Sequence, residues 1–420
     1  MSDLHVAFVG LGYIGLPTAV VLANSGVNVT GIDVNAANVE RINRGEVTIV
    51  EPGLQEELAQ ALESGRFRAT TEQVHANAYI IAVPTPFTDT HDVDMKFIYS
   101  AAESIAPQLE GDELVVLEST SPPQTTAKMA KRLLELRPDL AADGTENPDN
   151  KPVIYFAHCP ERILPGKAME ELRSNDRIIG GRTPEATRRA TEIYAAFCDG
   201  ELLPTDDVTA EMAKLTENTF RDVNIAFANE LSLIADKLDI NVWELIELAN
   251  HHPRVNILQP GPGVGGHCIA VDPWFIVAAD PENSKLIHTA RNVNDGKPAW
   301  VKAQVKEAIS ATNAQSVAVL GLAFKADIDD LRESPALNIA VDLAEELEGI
   351  TFHAVEPNIS ELPKRLKGFD NVTLTALDEA IAKADVVLLL VDHKEFKALG
   401  TTFLEGKTVV DTKGTWSRFL

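Results

Sequence analysis

Cys268 lies in GPGVGGHCIAVD, Gly261 to Asp272, where four glycines (Gly261, Gly263, Gly265, Gly266) fill six positions around Pro262. Freezing that many glycines into a helix or strand is costly, so the stretch is expected to be a loop that lets a ligand approach the backbone closely. A thiol there, next to His267 and four residues before Asp272, reads as a nucleophile if a neighbouring charge or dipole favours its thiolate. The competing reading is a small buried core residue, the usual fate of a free cysteine. Two further groups could serve such a thiol. Lys214, Asn218 and Arg221, spaced four and three apart, would share one helix face suited to an anionic, polar ligand. Glu161 follows the strand-like VIYFAHC, beside Arg162 and close to Gly166, and suggests a carboxylate in a cleft; a solvated, salt-bridged Glu is the alternative.

These residues need elements to hold them. HVAFVGLGYIGLPTAVVLANSGVNVTGIDVN reads as a strand, a glycine turn, a helix and a second strand ending at Asp33. Gly10, Gly12 and Gly15 fit GxGxxG, with Tyr13 and Ile14 inside it, and Asp33 follows Gly15 by 18 positions, where a carboxylate accepts from a ribose 2′-hydroxyl. The same carboxylate would repel a 2′-phosphate, so the expected cofactor is NAD rather than NADP. AYIIAVPTPF (Ala78 to Phe87) and ELVVLESTSPP (Glu113 to Pro123) read as further strands of this domain. Their ends make Thr85, Thr120 and Thr126 candidate cofactor contacts, although such residues also simply build turns. Leu140 to Lys151 reads as a surface loop.

From Thr209 a long apolar-periodic run predicts a long helix carrying Lys214, Asn218 and Arg221. Its other face, with Leu215, Phe220, Ile225, Phe227 and Leu231, is expected to pack or to form a subunit interface. A second helix, Val242 to Asn250, leads through His252 and Arg254 into the cysteine loop, and another is expected from about Pro281 to Thr312. The last third repeats the first: VAVLGLAFK echoes VAFVGLGYI, FHAVEPN echoes VTGIDVN, ADVVLLLVDH echoes NAYIIAVPTP, and GKTVVDTKG echoes the strand before Ser119. Its fingerprint keeps Gly321 but carries Ala323 and Ala326 for the other glycines, so a dinucleotide is not expected there. Lys325, Arg332 and Lys413 at the expected strand ends suit a nucleoside diphosphate instead; a domain kept only for dimerisation is the alternative.

The expected class is α/β: two Rossmann-like doubly wound domains (1–204 and 313–420) joined by a long-helix connector (205–312) that carries the cysteine loop. A length of 420 residues accommodates this, and 45% hydrophobic with 24% charged residues is ordinary for a soluble protein. No stretch is apolar long enough for a membrane span and no signal peptide is evident, so a cytoplasmic location and no membrane partner are expected. A formal charge of −26 argues against nucleic acid as a partner. Cys159, Cys198 and Cys268 are widely spaced, which suggests neither a disulfide framework nor a metal site.

One NAD domain, a second nucleotide domain and a thiol between them suggest oxidation of a nucleotide-linked substrate. Alcohol oxidation alone requires no thiol. A thiol is needed when an aldehyde must go on to an acid: the thiolate adds, the thiohemiacetal is oxidised, and water cleaves the thioester, with two NAD used per substrate.

GLGYIGLP, ESTSPP, CPERILPG, KLTENTFRDVNIAFANEL, GPGVGGHCIAVDP and GLAFKADIDDLRESP occur in the order of the UDP-glucose/GDP-mannose dehydrogenase family, which the chain resembles along nearly its whole length. INRGEVTIVEP, HPRVNILQPGPGVGGHC and DPWFIVA are similar to the branch that oxidises UDP-N-acetyl-D-mannosamine for surface polysaccharides. The resemblance implies Cys268 as thiohemiacetal and thioester nucleophile and Lys214 as the cation and proton carrier at the reacting oxygen, supported by Asn218 and Asp272. It implies Glu161 as the base for the hydrolytic water, which Thr120 and Asp272 position. Arg162, Ile163, Arg221, His252, Arg254, Gly265, Phe324, Lys325 and Lys413, with Lys214 and Asn218, match substrate-binding positions, and Arg332 a cofactor contact; His252 and Arg254 would act across a dimer interface. The family's UDP-glucose oxidisers usually carry a second glutamate where this chain has Pro165, a departure that favours a 2-acetamido sugar. The same chemistry on UDP-N-acetylglucosamine, UDP-N-acetylgalactosamine or UDP-glucose is the alternative within the class; outside it stand an idle nucleotide-binding scaffold and a two-electron dehydrogenase or epimerase. A homodimer built on the long helix, or a tetramer of such dimers, is the expected assembly.

Overall fold

The structure is a computed structural model that describes residues 4–47, 49, 51–88, 92–164, 166–266 and 268–416. Pro165 and His267 lie outside the described residues, as do Thr48 and Val50 of the INRGEVTIVEP stretch and Met1 to Asp3. The chain divides into two compact units, one up to Thr216 and one from Glu217 on.

The first unit runs β1 (His5–Val9), α1 (Gly15–Asn24), β2 (Asn28–Ile32), α2 (Ala36–Asn43), α3 (Leu54–Glu63), β3 (Phe67–Thr70), β4 (Ala78–Ile81), α4 (Lys96–Ile105), β5 (Leu114–Leu117), α5 (Thr125–Leu136), β6 (Ala141–Ala142), β7 (Val153–His158), α6 (Ala168–Ser174), β8 (Arg177–Gly181), α7 (Pro184–Tyr194) and β9 (Leu202–Asp206). Its sheet has the order β3-β2-β1-β4-β5-β7-β8-β9, with β6 beside β7. Pairing is parallel except between β7 and β8. The central strands are apolar on both faces because both are covered. Val6 and Phe8 of β1 enter one core, and Ala7 and Val9 enter the other. β4 and β5 alternate in the same way, as strands of a doubly wound sheet must. The expected Leu140–Lys151 loop contains the short β6, since Leu140 and Ala142 are buried beside β7. Pro84 and Pro86 follow β4, which ends at Ile81.

The long helix is α8, Asp207–Lys237, within which the division between units falls. The second unit continues with α9 (Val242–Asn250), α10 (Asp272–Ala279), α11 (Lys285–Thr312), β10 (Ser316–Leu320), α12 (Pro335–Glu346), β11 (Thr351–Val355), β12 (Val372–Leu374), α13 (Leu377–Lys383), β13 (Val386–Leu389), α14 (Lys394–Lys397) and β14 (Thr408–Asp411). Its sheet, β12-β11-β10-β13-β14, is parallel throughout and repeats the strand order of the first five strands of the first unit. α9 has the expected bounds and is capped by Asn241, whose side chain accepts from the Trp243 and Glu244 N–H groups. Helix α11 starts four residues later than expected, and α10 was not foreseen. Among the described residues no helix is long and apolar enough to cross a membrane.

Candidate functional site

The glycine turn after β1 fits a dinucleotide. Gly10 has φ +97°, and a Cβ on it would sit 2.3 Å from the Ala82 carbonyl oxygen. A Cβ on Gly15 would lie 1.9 Å from the Gly10 carbonyl oxygen, so only glycine lets α1 start this close to the turn. A Cβ on Gly12 would meet nothing within 4 Å, which leaves the turn open on the side where a pyrophosphate would approach the backbone. Tyr13 and Ile14 complete the turn. Asp33 Oδ2 accepts from the Leu11 N–H at 3.0 Å and Oδ1 from the Asn35 N–H at 2.8 Å, fixing the carboxylate at the end of β2. Thr85 and Thr120 are brought together beyond β4 and β5, the Thr85 hydroxyl donating to the Thr120 carbonyl at 2.8 Å. Thr126 is fully buried; its N–H and hydroxyl both donate to Glu211 Oε1 at 2.7 Å, while Gln124 N–H donates to Oε2 at 2.5 Å. Burial pushes the Glu211 carboxyl up to about 7.

Glu161 is nearly buried just after β7. Its Oε1 accepts from the backbone N–H groups of Arg162 (2.7 Å) and Ile163 (3.1 Å), and Arg177 Nη2 donates to Oε2 at 2.8 Å. Sequence reasoning missed Arg177 and the second carboxylate it faces, Glu118, whose Oε1 is 3.9 Å from Arg177 Nη1 and accepts from the Tyr194 hydroxyl at 3.2 Å. Burial, reinforced by the Glu161 charge, pushes Glu118 up to about 8. The only available signal was Glu118 itself, the first residue of ESTSPP. Lys214 is buried on α8 in this unit.

In the second unit Asn218, one turn further along α8, donates from Nδ2 to Asp272 Oδ2 at 2.5 Å, and Arg221 donates to Asn218 Oδ1. Asp272 is the first residue of α10, and its N–H and that of Val271 donate to the Cys268 carbonyl at 2.9 and 3.1 Å. Cys268 is thus an exposed thiol on the turn that opens α10, and its neighbour Asp272 is fixed to α8. The loop is held at its start as well. Gly261 N–H donates to Asn229 Oδ1 (2.9 Å) and Asn229 Nδ2 to Asn294 Oδ1 (2.8 Å). Asn294 Nδ2 donates to Asp222 Oδ1 (2.8 Å), which also accepts from Arg291 Nη1 (2.5 Å). Asp222, Asn229, Arg291 and Asn294 are buried between α8 and α11, and none of these four was anticipated from the sequence. Beside it Lys297 donates to the Ser232 hydroxyl and lies 3.8 Å from the Trp300 ring; burial pushes its amine down to about 7.

The loop packs on the turn after β10. A Cβ on Gly265 would lie 2.4 Å from the Glu333 carbonyl oxygen, and one on Gly266 would lie 3.1 Å from the Phe324 ring. Lys413 Nζ is 3.6 Å from the Cβ position of Gly261 and 3.6 Å from Asp392. Phe324 and Lys413 therefore meet the cysteine loop, whereas Lys325 is exposed and Arg332 pairs with Asp330 at 2.6 Å. His252 and Arg254 are exposed on the turn after α9. Among the described residues no group of three or more His, Cys, Asp or Glu side chains could hold a metal ion.

Comparison with known proteins gives this arrangement its family. Residues 4–198 match the NAD binding domain of the UDP-glucose/GDP-mannose dehydrogenase family, residues 208–296 its central domain and residues 318–418 its UDP binding domain. The UDP-N-acetyl-D-mannosamine dehydrogenase of Salmonella typhi is 55% identical over 99% of this chain and 100% of its own length. The NDP-N-acetyl-D-galactosaminuronic acid dehydrogenase of Ralstonia nicotianae is 52% identical over 98% of this chain and 96% of its own. Among solved structures, the UDP-N-acetyl-mannosamine dehydrogenase Cap5O of S. aureus superposes with a TM-score of 0.84 at 43% identity, covering 98% of this chain and 95% of that one. The chain belongs to the UDP-glucose/GDP-mannose dehydrogenase family, with NAD as its cofactor.

Proposed function

We propose that the protein oxidises UDP-N-acetyl-D-mannosamine to UDP-N-acetyl-D-mannosaminuronate, removing four electrons per sugar, and so supplies a uronic acid to surface polysaccharide. The observation that carries the choice of sugar is the 55% identity, over essentially the full length, to enzymes of that name. In this reading residues 1–204 bind NAD, residues 205–312 connect and carry the cysteine loop, and residues 313–420 bind the nucleotide of the sugar.

Each residue has a role in this reading. The glycine turn from Gly10 to Gly15, Asp33, Thr85 and Thr126 hold NAD, together with Arg332. NAD, when bound, accepts a hydride at each of the two oxidations. Lys214 carries the proton of the reacting oxygen in the first oxidation, supported by Asn218 and Asp272. Cys268 thiolate then adds to the aldehyde carbon, and the oxygen that becomes anionic takes a proton, giving a thiohemiacetal. Oxidation of that adduct leaves a thioester, and water directed by Glu161, Thr120 and Asp272 attacks its carbonyl, releasing the acid and the thiolate. Arg162, Ile163, Arg221, Gly265, Phe324, Lys325 and Lys413 bind the nucleotide sugar. His252 and Arg254 reach a second subunit's substrate in a homodimer, to which a second pair can add. The apolar stripe Phe220, Phe227, Ile234 and Leu238 on and just beyond α8 supports that assembly, since all four are exposed in the single chain and Phe220 is 68% exposed.

The test is kcat/KM for UDP-N-acetylmannosamine, UDP-N-acetylglucosamine, UDP-N-acetylgalactosamine and UDP-glucose with the purified protein. A preference of at least about 100-fold for the mannosamine compound is expected, since a misplaced or missing acetamido group leaves a buried polar group unpaired. A preference for another sugar overturns the substrate and retains the mechanism.

A further inference from the structure

Glu51, the glutamate of the INRGEVTIVEP stretch that precedes its proline, takes no role in the chemistry above, yet it is only 7% exposed and uses both carboxylate oxygens. Oε2 accepts from the Tyr13 hydroxyl at 2.5 Å and from the Gly166 N–H at 2.8 Å, and Oε1 accepts from the Ala168 N–H at 2.7 Å. Gly166 N–H also lies 3.2 Å from the Tyr13 hydroxyl oxygen. Tyr13 belongs to the dinucleotide turn. Gly166 and Ala168 close the loop whose other side carries Glu161, Arg162 and Ile163. Burial and the Glu51 carboxylate both push the Tyr13 phenol above its ordinary pKa, so it stays a donor.

A second tie runs alongside. Glu57 on α3 accepts from Asn24 Nδ2, at the end of α1, at 2.6 Å and from Arg173 Nη2, on α6, at 3.1 Å. Glu51 and α3 therefore join both ends of α1 to the segment that follows β7. A buried carboxylate that takes two backbone N–H groups from one loop fixes that loop's main chain, and its third donor sets what the loop is fixed to. We propose that Glu51 is a positioning residue that holds the Glu161 loop in register with the dinucleotide turn through Tyr13. The proposal rests on the reading of Glu161 as the residue that directs the hydrolytic water, because a displaced loop then costs turnover as well as binding.

The experiment compares Tyr13→Phe, Glu51→Gln and the double variant with wild type in the full-length protein. Three quantities are read: amide hydrogen exchange over 163–171, NAD affinity by calorimetry, and KM for the sugar nucleotide that wild type oxidises. Tyr13→Phe is expected to speed exchange at Gly166 and Ala168 and to raise the sugar-nucleotide KM about tenfold. Glu51→Gln does the same to a larger extent, and the double variant is no worse than Glu51→Gln alone, since both cut one link. Unchanged loop exchange, additive losses in KM, or a loss confined to NAD affinity overturns the proposal. If Glu51→Gln fails to fold, exchange and KM in Tyr13→Phe decide alone. If wild type oxidises no sugar nucleotide, the functional reading fails while the exchange measurement still decides the role of Glu51.

Discussion

The two Rossmann-like turns share an element order and differ in access. Each has a glycine at positive φ after its first strand, Gly10 at +97° and Gly321 at +92°, and each has an acid just past its second strand, Asp33 and Glu356. After Gly10, helix α1 starts within five residues, and among the described residues Asp33 takes one N–H of the turn, that of Leu11. After Gly321 the next helix, α12, starts only at Pro335, and Glu356, one methylene longer, takes the N–H groups of both Leu322 (2.8 Å) and Ala323 (3.0 Å). His393, fully buried, closes this turn from behind with Nε2 3.1 Å from the same carboxylate oxygen. The N–H groups that would face a pyrophosphate are thus satisfied internally in the second turn, and the residues before α12 become a platform for the cysteine loop through Phe324 and Glu333. Strand order is retained between the two domains, while ligand class is decided by where the helix starts and what occupies the turn.

The largest expected effect removes what the platform holds. Cys268→Ala should lower acid formation at least about a thousandfold, measured as uronate by chromatography, and leave NAD affinity unchanged because the dinucleotide turn is untouched. Filling the open turn should be next. Gly12→Val is expected to weaken NAD binding about 100-fold by calorimetry with little change in Tm, since its side chain enters open space. The reciprocal change, Ala323→Gly, should create no second NAD site, and a stoichiometry of two NAD per chain would break the comparison. Glu356→Ala should cost about 1–3 kcal/mol in urea unfolding, because it strands two buried N–H groups and His393. The smallest effect is in pH. Burial alone would raise Glu356, but its hydrogen bonds from His393 and the turn outweigh this and hold its pKa below the ordinary value. Its stabilisation is therefore complete above the unfolded pKa of about 4.3 and is lost as pH falls through the lower folded value. Glu356→Gln should lose that share of the acid dependence, read as a flatter Tm profile below about pH 5.

The central strands of both sheets, the glycine fingerprint and the long helix were legible because each is written in a local period or a short motif, whereas the outer strands β3, β8, β9 and β12 were not read. What escaped depends on partners distant in sequence. Arg177 reaches Glu161 only because β7 and β8 pair antiparallel, and Asn229 meets Asn294 only because α8 packs on α11. Thr126 was readable as a turn residue near strand ends, but not the carboxylate of Glu211, 85 positions later, that takes its hydroxyl. Helix α10 escaped because eight residues following a glycine loop give too short a periodic signal. The degraded second fingerprint was visible in Ala323 and Ala326, whereas its occupation by Glu356 and His393 was not, since both come from other strands' ends.

A thiol that carried one sugar through two oxidations would leave a stoichiometric signature. The most direct measurement is NADH formed per UDP-N-acetyl-D-mannosamine consumed, followed to completion by absorbance and chromatography. Two NADH per sugar are expected, with uronate as the only sugar product; one NADH per sugar with aldehyde as product, or none, would contradict the thiol's role.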